Sequence, residues 1–272
     1  MSGILYVVGT PIGNLGDFSQ RGIETLEKCD FIAAEDTRVT LKLLNRFGIK
    51  NTLVSYYEHN KLEHGQIILN RILNGENCAL VTDAGMPAIS DPGEDLVKLC
   101  LDNGIKIESV PGPCAFTTAL AISGMPSQRF RFEGFPPVDS KQRKDFFDNI
   151  KEETGTVIIY EAPHKLGKTL GDLFDNLGNR ELAIVRELTK IHEEVIRTDL
   201  FTAKEKYGNN ELKGEIVLII HGKECSENKM TLDQAKIIAL DLIESGKSKT
   251  DAAKEAAKIT GIKKANIYKE II

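Results

Sequence analysis

The sequence predicts an α/β protein with two α/β domains followed by a small helical extension. Three observations predict it. Short apolar runs alternate with helical patterns over the first 110 residues, a second series of strand-like runs follows, and only helical patterns occur after Gly222. Alternating strands and helices are typical of α/β architecture, whereas a change to helices alone indicates a separate element.

The first domain is predicted from four apolar runs that look like buried strands. Helical patterns and turn residues separate them, which is the βαβ alternation of a parallel sheet. The four runs are Ile4 to Val8, Phe31 to Ala34, Cys78 to Thr82 and Ile105 to Val110.

The second domain is predicted from five further runs, of which the later ones are more closely spaced. Close spacing leaves no room for helical crossovers and indicates a mixed sheet. Gly124 and Pro126 break the helical pattern between the two series, so we expect domains at 1–122 and 123–222. The runs are Arg129 to Phe135, Thr156 to Tyr160, Leu182 to Arg186, Glu193 to Thr198 and Glu215 to His221.

The extension, residues 223–272, resembles a helix-turn-helix. Thr231 with Gln234 forms a capping-box pattern that opens an amphipathic run, and Gly246 closes it. Ser248 with Asp251 opens a second helix, which Gly261 ends before a third short segment. The expected apolar positions are Leu232, Ala235, Ile238, Leu242, Ala252, Ala256 and Ile259.

Composition excludes several classes of protein. A formal charge of −5 argues against a generally basic nucleic-acid-coating protein, although local basic patches remain compatible with it. The five cysteines form no C-x-x-C pair, so we expect reduced thiols, a cytoplasmic location and no metal site. We see no targeting segment and no apolar run long enough for a membrane.

Loops after the first-domain strands are the first place to look for a ligand, because α/β sheets bind ligands beyond the carboxyl ends of their strands. Gly9 to Asn14 has neither G-K-[ST] nor G-x-G-x-x-G, and an ordinary turn explains it equally well. In Asp83 to Gly93, we expect Asp83 to contact a ligand and Asp91 to cap a helix starting near Pro92. Pro111 to Ala115 offers backbone N–H groups at a helix start.

Three more segments place charged groups after strands, and each also has a structural explanation. The acids of Ala34 to Arg38 serve a site or cap the next helix. Tyr160 to Lys165 combines an aromatic ring, a carboxylate and His164, which by itself is equally a polar surface residue. Arg186 with Glu187 is also explained as an exposed ion pair.

These loops, taken together and in this order, resemble the tetrapyrrole-methylase family, in particular its branch that methylates ribosomal RNA. The resemblance covers nearly the whole chain, and eight collinear motifs make it specific. The motifs are LYVVGTPIGNLGD (5–17), AAEDTR (33–38), VTDAGMPAISDPG (81–93), VPGPCA (110–115), FEGFPP (132–137), YEAPHKL (160–166), RELTKIHEEV (186–195) and KGEIVLII (213–220).

The resemblance implies an S-adenosylmethionine-dependent enzyme with the cofactor in a cleft between the two α/β domains. It further implies a homodimer that methylates the 2′-hydroxyl of a cytidine in the decoding region of 16S ribosomal RNA, within the small ribosomal subunit. The cofactor-binding residues it implies are Thr10, Pro11, Asp83, Ala84, Gly85, Met86, Ile89, Cys114, Ala115, Tyr160 and Ala162.

A base that accepts the hydroxyl proton would help such a transfer, and acids in the cleft loops are the natural candidates. They are Glu35, Asp36 and Glu161. RNA needs basic and aromatic contacts, and five basic residues stand against two acids in Arg129 to Lys144, with seven lysines against three acids in Lys247 to Ile272. The expected substrate-binding residues are Arg38, Arg129, Arg131, His164, Lys165 and Arg186.

Two other functions stay open from the sequence. One is a tetrapyrrole C-methyltransferase on the same fold, acting on a corrin or haem precursor. The other is a non-enzymatic regulator that uses the extension as a helix-turn-helix and the α/β domains as a sensor.

Overall fold

The computed structural model describes residues 2–208, 212–224 and 230–272. The chain folds as two compact units, residues 1–223 and 224–272. The first unit contains two five-stranded sheets with their helices, and the second is helical. The predicted fold class is therefore confirmed.

The first sheet is parallel throughout and has the strand order β3-β2-β4-β1-β5. Its strands are β1 (Ile4–Val8), β2 (Phe31–Ala34), β3 (Leu53–Ser55), β4 (Cys78–Val81) and β5 (Lys106–Val110). Its helices are α1 (Gln20–Lys28), α2 (Thr37–Phe47), α3 (Lys61–Leu73), α4 (Glu94–Asp102) and α5 (Ala115–Ser123).

The four predicted strands are confirmed. The three inner ones, β1, β2 and β4, are apolar throughout, whereas the edge strand β5 carries the polar residues Lys106, Glu108 and Ser109. Every residue of β2 and β4 is buried, and the two faces contribute to separate core clusters around Phe31 and Ile32. The sequence did not predict β3, an edge strand of three half-buried residues that is too short to show a pattern.

The second sheet is mixed, as predicted, and has the order β6-β7-β10-β8-β9. Only β6 and β7 pair in parallel, and the other neighbours are antiparallel. Its strands are β6 (Phe130–Phe132), β7 (Thr156–Glu161), β8 (Glu181–Arg186), β9 (Glu194–Asp199) and β10 (Ile216–Ile220). The helices α6 (Ser140–Ile150), α7 (Leu166–Leu177) and α8 (Leu200–Tyr207) pack on it.

A shared core joins the two sheets within the first unit. Ile12 of the first loop and Leu120 of α5 pack with Ile158 of β7, Val185 of β8 and Val217 of β10. This packing presents the loops of the first sheet to one face of the second sheet. The domain boundary at 122/123 stays a proposal.

The second unit consists of α9 (Leu232–Glu244), α10 (Lys249–Thr260) and α11 (Lys264–Glu270). The predicted capping box is present, since Thr231 and Gln234 exchange both side-chain hydrogen bonds. Small residues, among them Ala235, Ala239 and Ala256, form the core with Ile267. The prediction placed Leu232 and Ile259 on the apolar face, but they are 37% and 55% exposed.

Within the described ranges, no helix is both long and apolar enough to cross a bilayer.

Candidate active site

Three loops at the carboxyl ends of β1, β4 and β5 are joined backbone to backbone. The N–H of Thr10 donates to the Gly85 carbonyl at 2.9 Å, and the Gly85 N–H donates back at 3.1 Å. A Cβ on Gly112 would lie 2.7 Å from the Gly9 carbonyl oxygen, so the two glycines permit this close approach. The first loop is therefore part of a rigid platform.

A cavity of about 440 Å³ lies between this platform and the second sheet. Its size suits a small organic ligand. It contains most of the cofactor-binding residues expected from the sequence, namely Asp83, Ala84, Gly85, Met86, Ile89, Cys114, Ala115, Tyr160 and Ala162. We call it the first cavity.

The first cavity is acidic. Among the described residues that line it, five are acids and none is basic. Apolar groups such as Ile12, Met86 and Val217 form much of the remaining wall. The acids are Glu35, Asp83, Asp91, Glu161 and Glu215. Such a lining favours a ligand that carries positive charge and apolar surface.

Asp91 is one of these acids and does not cap a helix, so the expectation for it was wrong. The helix α4 begins at Glu94 with Gly93 as its N-cap and has no side-chain cap, whereas Asp91 lines the cavity. Burial, with smaller contributions from the charges of Glu35 and Asp83, raises the pKa of Asp91 to about 6.

The backbone around Asp91 is strained. Ala88 and Ser90 have φ values of 65° and 66°, in the left-handed region that non-glycine residues seldom adopt. Strain of this kind is found at functional sites, where the surrounding structure holds it in place. The loop is therefore held in a defined conformation at the cavity wall.

Glu35 and Asp83 form the adjacent part of the wall. The Thr82 hydroxyl donates to Glu35 Oε2, and the Asp83 N–H donates to the same oxygen at 3.4 Å. Partial burial and the nearby Glu35 charge raise the pKa of Asp83. Three carboxyl groups thus share a small region, and the charges of their neighbours disfavour the ionisation of Asp83 and Asp91.

Asp36 lies outside the first cavity. Its carboxylate caps α2 through the Arg38 N–H at 2.8 Å and pairs with the Arg38 guanidinium at 2.6 Å. These hydrogen bonds lower the pKa of Asp36 to about 2. A carboxylate that is a weak base and already paired suits the capping alternative better than proton transfer.

Glu161 lines the cavity but is 3% exposed and held by structural partners. Its carboxylate accepts hydrogen bonds from the Thr169 hydroxyl and, at 2.7 Å, from the Ala162 N–H. Thr169 in turn accepts from Arg143 at 2.7 Å. The geometry points to a role in fixing the turn after β7.

Tyr160 closes the first cavity from the second sheet. Its hydroxyl oxygen accepts the Phe116 N–H at 3.0 Å, and its ring contacts Phe132 and Phe135 at centroid distances of 4.9 and 5.4 Å. Burial raises the pKa of Tyr160, so the phenol stays neutral. This hydrogen bond between Tyr160 and Phe116, which we call the Tyr160 clasp, connects the second sheet to the start of α5.

Thr10 and Pro11 line a different cavity, of about 490 Å³, on the other side of the first loop. We call it the second cavity. It shares only Thr82 and Asp83 with the first cavity. The structure therefore separates these two residues from the other expected cofactor contacts.

The expected substrate-binding residues lie outside both cavities. Arg38 is exposed beside Asp36, Arg186 pairs with Glu194 at 3.3 Å, and His164 and Lys165 form the turn after Pro163 at the cavity rim. Arg129 is exposed, and Arg131 pairs with Glu133. Arg143, counted with the basic segment in the sequence, is buried and bonds Asp172 at 2.6 Å, so it cannot face RNA.

Sequence reasoning missed several lining residues, chiefly Ile12, Thr82, Asp91 and the strand start Glu215 to Val217. The position of Gly93, between Asp91 and α4, was an indication that the N-cap of α4 follows Asp91 in the sequence. No local sequence pattern identifies Glu215 to Val217 as cavity-lining residues, because their position beside the cavity depends on how the second sheet packs against the three loops.

Comparison with known proteins identifies the family of the chain. The family model for tetrapyrrole (corrin/porphyrin) methylases matches residues 4–204. The chain therefore belongs to the tetrapyrrole methylase family. A solved uroporphyrin-III C-methyltransferase from Thermus thermophilus superposes with a TM-score of 0.57 at 17% identity, covering 80% of this chain and 94% of that one, which supports the fold.

Nearer relatives are named ribosomal RNA small subunit methyltransferase I. The relative from Haemophilus influenzae is 43% identical over 98% of this chain and 96% of its own length. The relative from Thermotoga maritima is also 43% identical, over 82% of this chain and its entire length.

Proposed function

We propose that this protein transfers a methyl group from S-adenosylmethionine to the 2′-hydroxyl of a cytidine in the decoding region of 16S ribosomal RNA. The acidic first cavity carries the proposal, together with the name shared by relatives 43% identical over almost the full chain. Membership of a methylase family favours an enzyme over a regulator.

The residues of the first cavity fit S-adenosylmethionine. This cofactor has a sulfonium and an ammonium group, and the acidic wall of Glu35, Asp83 and Asp91 complements both. Ile12, Met86 and Ile89 offer apolar surface for a purine ring. Thr10, which the resemblance also implied, would act by holding the Gly85 backbone.

When bound, S-adenosylmethionine supplies an electrophilic methyl group on a sulfonium sulfur. The platform and the Tyr160 clasp hold the cavity walls in fixed positions, and alignment of this kind provides much of the catalysis in such a displacement. The hydroxyl oxygen would bond to the methyl carbon as the carbon–sulfur bond breaks and leaves a neutral thioether, and a nearby base would accept the hydroxyl proton.

We assign that base to Asp91 in preference to Glu35, Asp36 and Glu161. A pKa of about 6 leaves Asp91 largely ionised at neutral pH, and such a group is among the best proton acceptors available there. Asp36 and Glu161 are engaged by Arg38 and Thr169. Glu35 stays the second candidate, because only one of its oxygens accepts the Thr82 hydroxyl.

The proposed substrate is the RNA within the small ribosomal subunit, which implies a cytoplasmic location. The family resemblance also suggests a homodimer, which light scattering in solution would detect. Of the proposed RNA contacts, Arg38, Arg129, Arg131, His164, Lys165 and Arg186 stay candidates.

The deciding experiment incubates the protein with labelled S-adenosylmethionine and isolated small subunits that lack the modification, then maps 2′-O-methyl groups. We expect one modified cytidine in the decoding region. Free 16S RNA and a porphyrinoid are parallel acceptors. Transfer to the porphyrinoid alone would replace the proposal with tetrapyrrole methylation, and no transfer to any acceptor would refute it.

A further inference from the structure

The second cavity differs from the first in charge. It is bounded by the first loop, by one face of α2 and by the end of β4. Its basic side chains are Lys42 and Arg46, and its single acid, Asp83, lies at the boundary with the first cavity. An acidic cavity and a predominantly basic one thus lie side by side.

The basic groups belong to a stripe along α2. Arg38, Lys42 and Arg46 are four residues apart, so they lie on one face of the helix. All three are exposed. Arg38 pairs with Asp36, whereas Lys42 and Arg46 form no ion pair with any residue in the described ranges. Their charges are therefore available to a ligand.

A buried hydroxyl in the same wall also lacks a partner. Thr40 lines the second cavity and is 2% exposed, and its Oγ1 has no hydrogen-bond partner within the described chain. A buried polar group without a partner is uncommon and costs free energy. A ligand oxygen seated against this wall would supply the missing acceptor.

RNA chemistry connects the two cavities. The 2′-hydroxyl and the 3′-phosphate of a nucleotide are attached to neighbouring ribose carbons, so an enzyme that methylates the hydroxyl has to accommodate a phosphate beside it. The two cavities meet at Thr82 and Asp83. A ribose at this boundary would place its hydroxyl towards the acidic side and its phosphate towards the basic side.

We propose that the second cavity binds the backbone phosphate next to the methylated ribose, through Lys42, Arg46 and the Thr40 hydroxyl. The inference rests on the proposed function and names a substrate subsite that is distinct from the segment 129–144 and from the helical extension. The phosphate sets the register of the RNA strand, since phosphate contacts position a strand without reading its sequence.

The test uses the double variant Lys42→Ala/Arg46→Ala in the full chain. We expect binding of a short single-stranded RNA to weaken by about tenfold and the slope of log K against log[KCl] to become shallower by about 1, because phosphate contacts release counterions. S-adenosylmethionine affinity, measured by calorimetry, should stay unchanged.

The matched control is Lys98→Ala/Lys168→Ala, which removes two exposed helical lysines outside both cavities. A wild-type salt slope in the α2 double variant, or an equal effect of the control pair, overturns the inference. The wild-type protein is assayed for RNA methylation in parallel, so a failure of the proposed function is seen separately.

A second pair of variants isolates the hydroxyl. Thr40→Val removes it at nearly constant volume, and Thr40→Ser keeps it. We expect Thr40→Val to weaken RNA binding several-fold without lowering the melting temperature, and Thr40→Ser to retain wild-type affinity. Equal RNA affinity for the two variants contradicts a role for the hydroxyl.

Discussion

Asp91 shows how the surroundings of one side chain change its chemistry. In the sequence it stands before a helix and looks like a cap, but in the structure it lines a cavity with Glu35 and Asp83. Burial and two neighbouring charges bring its pKa to about 6. Perturbed carboxyl groups in clefts are frequent at catalytic sites, which makes Asp91 the first residue to test.

We expect Asp91→Asn to lower the single-turnover methylation rate by about 100-fold, because the amide cannot accept the hydroxyl proton. The wild-type rate should rise with pH through about 6 and then level off. The variant should lose this rise. Glu94→Gln, which changes an exposed acid on α4, is the control. A variant with wild-type rates and an unchanged pH profile would contradict the assignment.

The same substitution should affect stability in a pH-dependent way. The folded-state pKa of Asp91 is raised, so its protonated form stabilises the folded state at low pH and this contribution is lost as the pH rises through about 6. At pH 8, Asp91→Asn should raise the free energy of unfolding by about 1 kcal/mol. This value is smaller than the full pKa difference would give, because water reaches part of the carboxyl and screens its charge.

Urea unfolding of both proteins at pH 8 and pH 4 measures this difference. At pH 4 the wild-type carboxyl is protonated in the folded state, so the advantage of the amide should largely disappear. If Asp91→Asn raised the free energy of unfolding equally at both pH values, the proposed link between stability and the pKa of Asp91 would be contradicted.

At the scale of elements, the loops after β1, β4 and β5 act as one platform. Gly9 and Gly112 allow two of the loops to touch, and the bridge between Thr10 and Gly85 adds the third. The walls of the first cavity that these loops form are therefore held in fixed positions. A change at one loop should therefore alter the cavity as well as stability.

We expect Gly112→Ala to lower the free energy of unfolding by about 2 kcal/mol, because the new Cβ would lie 2.7 Å from the Gly9 carbonyl oxygen. S-adenosylmethionine affinity should fall as well. Gly171→Ala is the control, since its Cβ would enter open space within α7 and should stabilise by up to about 1 kcal/mol. Urea unfolding and calorimetry measure both effects, and equal stabilities for the two variants would contradict the close-contact argument.

At the scale of the whole molecule, the helical unit 224–272 folds around its own core. The Thermotoga maritima relative matches 82% of this chain over its entire length, so a shorter protein of this family exists. The seven lysines from Lys247 onwards suggest a surface for RNA. We therefore propose that the extension contributes to RNA binding and not to cofactor binding.

Deleting the residues after Gly222 should weaken binding to small ribosomal subunits while leaving S-adenosylmethionine affinity unchanged. Sedimentation with the particles measures the first quantity and calorimetry the second. Charge reversal at Lys254 and Lys258 in the full chain is a milder variant that keeps the fold. Unchanged particle affinity in both variants would contradict the RNA-binding role.

The sequence by itself determined every strand except β3, the presence of helices between the strands, and the N-caps of α9 and α10. These features are local, since a buried strand such as β2 is apolar throughout and the capping box at Thr231 is a matter of residue spacing. Motif resemblance also identified most of the first-cavity residues, because the loops that carry them keep their order along the chain.

Only the tertiary structure decided what each charged group faces. Arg143 belongs to a basic segment in the sequence, but in the structure it is buried and bonds Asp172. Asp91 was expected to cap a helix, but in the structure it lines the first cavity. The separation of Thr10 from the first cavity and the open face of Lys42 and Arg46 depend on packing between distant segments. Charge and solvent exposure arise from that packing, so local sequence patterns could not predict them.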